Sequence, residues 1–193
     1  MPHVMLRWNS LLLSGCLVLA CERQPAIASL PSPAPAARPA ADEAARVAPT
    51  SVEKTAGIVD VKREGQPALL QALRVAKNEG FDRVVFEFGE RVPGYHLEYI
   101  DKPVRDCGAG DVKPVEGDAW LEVRFYPANA HTEAGQPTIK ERELKPALDL
   151  VREIERTCDF EAVVTWVIGV ASPNRYRAFE LGSPPRLVVD IDH

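Results

Sequence analysis

Three histidines, His96, His131 and His193, stand in the part of the chain patterned like a folded domain, and none sits in a recognisable catalytic arrangement. There is no His-Glu-x-x-His pair for zinc, no Gly-x-Ser-x-Gly elbow for a serine nucleophile and no phosphate-binding loop. His96 follows Tyr95 on a predicted strand and reads as an ordinary, partly exposed strand residue. His131 shares the loop from Asn129 to Gln136 with Glu133, a pair too common to suggest a ligand set. His193 is the last residue and is expected to be mobile. Neither catalysis nor a metal or cofactor is therefore expected. Binding is easier to read from the residue types. Trp120, Glu122, Arg124 and Tyr126 alternate along one predicted strand and so share a face. Aromatic rings there can stack on sugar rings while the charged groups bond hydroxyl, amide or carboxylate groups. The competing reading is that Trp120 and Tyr126 only cover a sheet.

The four cysteines have different uses. Leu13-Ser14-Gly15-Cys16 and Val18-Leu19-Ala20-Cys21 both place small residues before a cysteine, as the lipobox of bacterial lipoproteins does. Both end an apolar run that begins at Leu11, follows the single cation Arg7, and is too short to span a bilayer. Cleavage before Cys16 would leave a cramped signal and a mature chain starting on Leu17-Val18-Leu19-Ala20. Cys21 is the preferred lipidation site, with residues 1–20 as signal peptide. An ordinary cleaved signal and an uncleaved anchor remain as alternatives, and each keeps the domain outside the cytoplasm. Where there is an outer membrane, Glu22 after Cys21 points towards it. Residues 21–55 contain ten Ala and six Pro after Cys21 and little to bury, which predicts a disordered tether. Fully extended it would reach roughly 100 Å. Export puts Cys107 and Cys158 where a disulfide persists, and a bridge between them is favoured over free thiols or a zinc site.

About 138 residues, 56–193, are left for one globular domain. The formal charge is −5 and neither sign forms a run, so the basic stripe that nucleic acid would need is missing. Short runs of β-branched and aromatic residues, broken by Gly, Pro and Asp, predict an antiparallel β-sandwich of two sheets. Strands are expected over 69–77, 82–88, 95–101, 119–126, 148–154, 161–170, 175–181 and 186–191. Leu144, Leu148 and Val151 also fit helical spacing, so a short helix over 144–156 is an equal alternative there. Asp82-Arg83-Val84-Val85-Phe86-Glu87-Phe88 is echoed by Pro185-Arg186-Leu187-Val188-Val189-Asp190-Ile191. In each copy the Arg and the acid four residues on share a face, as ligand contacts or as ordinary strand charges, and two copies suggest a pseudo-symmetric sandwich. Trp166, between Val164 and Ile168, is expected in the core.

These twin segments, together with Pro93-Gly94-Tyr95-His96-Leu97-Glu98-Tyr99 and the run Asp159 to Val170, resemble the AMIN-like domain of bacterial lipoproteins from about Leu69 to His193. That group takes its name from the AMIN domain found beside cell-wall amidases and in secretins. The resemblance implies a two-sheet β-sandwich and binding to peptidoglycan or another envelope glycan, with Arg83 and Arg186 as candidate contacts beside Trp120, Arg124 and Tyr126. Cys107 and Cys158 fall outside the family pattern. An envelope protein partner, bound along an exposed sheet edge, is the second reading.

Overall fold

The computed structural model describes residues 55–193 apart from Lys102; the signal peptide, Cys16, Cys21 and the tether lie outside the described residues. Eleven strands follow one another: β1 (Val59–Val61), β2 (Ala68–Asn78), β3 (Phe81–Phe88), β4 (Gly94–Ile100), β5 (Ala119–Tyr126), β6 (Ala128–Asn129), β7 (Glu143–Leu144), β8 (Val151–Phe160), β9 (Val163–Val170), β10 (Tyr176–Leu181) and β11 (Arg186–Asp192). They form a six-stranded sheet ordered β1-β4-β5-β9-β8-β7 and a five-stranded sheet ordered β10-β11-β3-β2-β6. All neighbours are antiparallel except β2 and β6. The expected all-β sandwich is present.

Alternation explains the layering. On β3, Asp82, Val84, Phe86 and Phe88 are buried while Phe81, Arg83, Val85 and Glu87 are half-buried on the other face. The inward rows of the two sheets meet with Phe86 and Phe88 both edge-on to Phe125 at 5.0 Å, and with Phe86 6.3 Å from Trp166. Trp166 is fully buried, as its neighbours suggested. Each such large apolar side chain contributes roughly 1.5–3 kcal/mol on burial. Tyr176 of β10 crosses the sandwich to place its hydroxyl, with its one proton, between the carbonyls of Gly57, at 2.6 Å, and Leu97, at 3.0 Å. Burial pushes its phenol pKa up to about 12, so it remains a neutral donor. Thr55, one residue ahead of the expected domain start, exchanges two backbone bonds of 2.7 Å with Tyr176.

The helix alternative over 144–156 is overturned. Leu144 belongs to β7, residues 145–150 are irregular, and β8 runs from Val151. Pro146 lacks the amide proton a helix interior needs. The start of β8 is fixed instead by Asp82, whose carboxylate accepts the amides of Leu150 at 2.7 Å and Val151 at 3.0 Å. Register shifts between Val151 and Glu153 and between Arg156 and Cys158 break the strand's alternation. Moreover β8 is covered on both sides, so Glu153, Glu155, Arg156, Thr157 and Cys158 are all buried.

That second cover is the connection between β4 and β5, residues 101–118, which folds back over the outer face of the six-stranded sheet. Val104 and Val115 pack there on Trp120 and Val167 as a small separate core. The Cys107–Cys158 disulfide, with Cα atoms 5.2 Å apart, pins this cover to β8, and the Cys107 amide adds a 3.1 Å bond to the Thr157 carbonyl. The favoured pairing of the two cysteines is present. Gly169 lets the cover seat, because a Cβ there would lie 1.9 Å from the Glu116 carbonyl oxygen. Gly169→Ala is expected to lift residues 115–117 off the sheet, costing about 2 kcal/mol. Thermal melting read alongside tryptophan emission would check it, since Trp120 lies beneath.

Candidate functional site

The twin segments β3 and β11 are direct antiparallel neighbours, and their echo is read against itself: Arg83 pairs with Asp190 and Arg186 with Glu87. On the outer face of the five-stranded sheet, Arg83 reaches the Asp190 carboxylate with Nε at 2.6 Å and Nη2 at 2.9 Å. Arg177 of β10 grips the same carboxylate from the other side with Nε at 2.8 Å and Nη2 at 2.7 Å. Both guanidinium groups lie 5.2–5.6 Å from the ring centres of Phe81 and Phe179. Asp190 is thereby sealed from water, and its hydrogen bonds raise the pKa of Arg83. Arg186 donates to the carbonyls of Pro184 and Ser183, while Glu87 is bonded by Arg74 of β2; that bond, first, holds the Glu87 pKa down. Two of Arg83's donor positions are thus engaged within the protein, an arrangement closer to cross-strand packing than to an open ligand clamp.

Trp120, Arg124 and Tyr126 lie on the other sheet, and the groove that Arg124 and Tyr126 line includes neither Arg83 nor Arg186. Trp120 needs a correction. It was expected on an exposed stacking face but is 8% exposed, covered by Val104 and Val115, with its indole N–H donated to the Val115 carbonyl at 3.1 Å. The alternation of β5 is as expected; the cover, which strand periodicity does not register, removes its Trp120 end from solvent. The other end is open. Tyr126 is 58% exposed, and Arg124 holds Glu122 at 2.6 Å. Both line a groove of about 320 Å³ with Lys62, Arg63, Tyr95 and His96, bounded by β1 and β4. Arg63 lies 5.9 Å from the Tyr95 ring centre and bonds Glu180 at 2.8 Å. His96 sits between Asp60 and Glu98, at 3.2 and 3.3 Å.

The other two imidazoles are also tied to carboxylates, His131 to Asp159 at 2.9 Å and His193 to Asp82 at 3.0 Å. His193, expected to be mobile, is held by that bond and by its own amide on the Gly80 carbonyl. The three pairs lie apart, each on a different element. Sequence reasoning missed a second cleft, of about 450 Å³, beside the disulfide, where Arg142, Arg156, His131 and Asp159 converge. Its one sequence signal was an arginine on the inward row of β8, opposite Trp166. Glu143, Glu153 and Glu155 bring carboxylate oxygens within 4.8 Å of one another, a spacing a metal ion could use. The Lys145 ammonium pairs with two of the three, 3.1 Å from Glu143 and 3.6 Å from Glu153, and with Glu116 at 2.7 Å.

Searches of curated proteins and of solved structures each return no match. A scan against models of protein families matches the AMIN-like domain over residues 68–193, from the first residue of β2 to the last of the chain. That span takes in both twin strands, both sheets and every strand of the sandwich but β1, and by it the chain belongs to the AMIN-like domain family.

Proposed function

We propose that this is a non-catalytic lipoprotein of the bacterial cell envelope, anchored through Cys21, whose domain binds peptidoglycan or another envelope glycan along the β1-β4-β5 groove. The observation that carries the reading is Tyr126, a large ring left 58% exposed at the edge of a groove whose wall carries the cations Lys62, Arg63 and Arg124 beside the acids Asp60 and Glu64. An exposed ring beside cations suits a sugar carrying carboxylates: the ring covers the apolar sugar face and the cations meet the acid groups. Family membership supports the same envelope role. The tether would let the domain reach the wall while its lipid stays in the membrane, facing the periplasm or the cell exterior.

A soluble form beginning at Ser51, so that Thr55 keeps its bonds to Tyr176, is expected to co-sediment with purified sacculi above a neutral control protein. Tyr126→Ala should lower the retained fraction roughly three- to tenfold, the range of an aromatic contact, with an unchanged melting temperature because the ring is exposed. No enrichment of the parent form on sacculi discards the glycan reading. The second reading, an assembly factor binding a protein partner, is favoured by one feature. Strand β10 is an edge of the five-stranded sheet: β11 pairs with it on one side, and on the other the isolated bridge from Thr55 to Tyr176 is the pairing found among the described residues. Crosslinking from Glu180 to a single dominant protein, without sacculus binding, would select it.

A further inference from the structure

The cleft beside the disulfide lies away from the Tyr126 groove and makes its own case. Its wall includes Cys107, Cys158, Arg142, Arg156 and Phe160. Arg156 is 5% exposed, yet its guanidinium has no ion pair among the described residues. It makes a single 3.4 Å hydrogen bond, from Nη1 to the Ile139 carbonyl, and its buried Nε has no partner at all. The group lies 5.7 Å from the Trp166 ring centre, which supports the cation without satisfying its N–H donors. A buried cation in this condition is costly unless something pairs with it. Burial works most against the Arg156 charge; Asp159 supports it without an ion pair, and Arg142, exposed at the rim, opposes it. The acids of the cleft make their hydrogen bonds to other groups. Asp159 accepts the Ala130 amide and holds His131, both at 2.9 Å, and Asp106 accepts the Gly110 amide and faces Lys113.

We infer that this cleft binds a carboxylate borne on a small organic group, with Arg156 as the buried anchor and Arg142 as a second cation at the mouth. A guanidinium matches a carboxylate, and because Nε is itself closed to solvent the bond from the cleft falls to the Nη groups, of which Nη2 makes no hydrogen bond among the described residues. A singly charged ligand suits a cleft whose wall already contains Asp106 and Asp159, whereas a doubly charged phosphate would meet both. Phe160, 61% exposed at the rim, offers an apolar surface for the ligand's remaining atoms. The volume of about 450 Å³ accommodates a short peptide terminus or a small free acid.

The test uses the full-length protein with its disulfide intact and follows the Arg156 Nε–H resonance by NMR during titration. The probes are N-acetyl-alanyl-alanine, the same dipeptide as its C-terminal amide, acetate, and inorganic phosphate. The free-acid dipeptide is expected to give a saturable shift, with the amide at least about tenfold weaker because one charge-assisted pair is lost. Acetate binding as well as the dipeptide would identify a small free acid as the ligand, and weaker acetate binding a peptide terminus. Arg142→Gln, at an exposed position, should weaken binding several-fold without changing the fold, and Arg156→Gln, followed through the indole N–H resonance of the neighbouring Trp166, should abolish it. Equal shifts with acid and amide, tighter binding of phosphate, or no shift at about 10 mM dipeptide overturns the inference.

Discussion

Replacing both Cys107 and Cys158 with serine is expected to lower the stability of the domain by roughly 4 kcal/mol. The bridge closes a loop with a sequence separation of 51, and the chain-entropy relation assigns about that much to removing such a constraint from the unfolded chain. For a domain of this size the melting temperature should fall by about 12–16 °C. The loss should also have a location. The disulfide ties the 101–118 cover to β8, so without it Val104 and Val115 should separate from Trp120 and Val167 before the main core opens. Tryptophan emission read against far-ultraviolet circular dichroism checks this, because Trp120 lies under the cover and Trp166 in the main core. A double-serine variant melting within about 2 °C of the parent would show that the cover holds by packing alone.

Asp82→Ala is the second large effect expected, about 3–5 kcal/mol of destabilisation. Asp82 is completely buried and satisfies three groups: the amides of Leu150 and Val151 and the His193 ring. Deleting it leaves two backbone donors without a partner at the point where β8 begins. Its titration gives an independent readout. Burial resists the charge, but the Val151 amide, the His193 ring and the Leu150 amide outweigh it, so the pKa lies below that of an ordinary aspartate. A carboxyl depressed on folding contributes stability that is complete above its unfolded pKa and is lost as pH falls through the folded value. Denaturant midpoints measured between about pH 6 and pH 2 should therefore fall more steeply for the parent than for Asp82→Asn, which has no charge to lose.

Asp82 also shows where local reading of the chain stops. Its place on the strand was legible, because the alternation of Val84, Phe86 and Phe88 sets the inward face and Asp82 shares it. Its role was not, since its partners lie 68 and 69 residues away. Where one face of a strand meets solvent, as on β5 at Arg124 and Tyr126, period-two patterning located the element with its observed ends. Where both faces are covered, as on β8, polar and apolar residues alike are buried and the pattern carries no period. The turn between β8 and β9 was read as strand for a different reason. Glu161 and Ala162 adopt positive φ, 49° and 60°, a conformation that Gly or Asn normally announces. For the candidate sites, the pairing of Cys107 with Cys158 followed from the expected export to a compartment where a disulfide persists and from the lack of further ligands at zinc spacing. The burial of Trp120 and the convergence of Arg142 with Arg156 depend on how the 101–118 cover and the β7–β8 region close on the sheet, which no local window contains.

The position of β11 between β3 and β10 sets an order of events for the newborn chain. Each Arg83 to Asp190 contact spans 107 residues, so the centre of the five-stranded sheet remains open until β11 has been made. Until then one flank of β3 is an unpaired edge, with Val84 and Phe86 lacking their cross-strand neighbours Val189 and Leu187 and the edge inviting contact with other extended chains. A chain delivered N-terminus first must therefore wait for β11, and a stop codon at position 186 should yield an aggregate rather than a shortened sandwich.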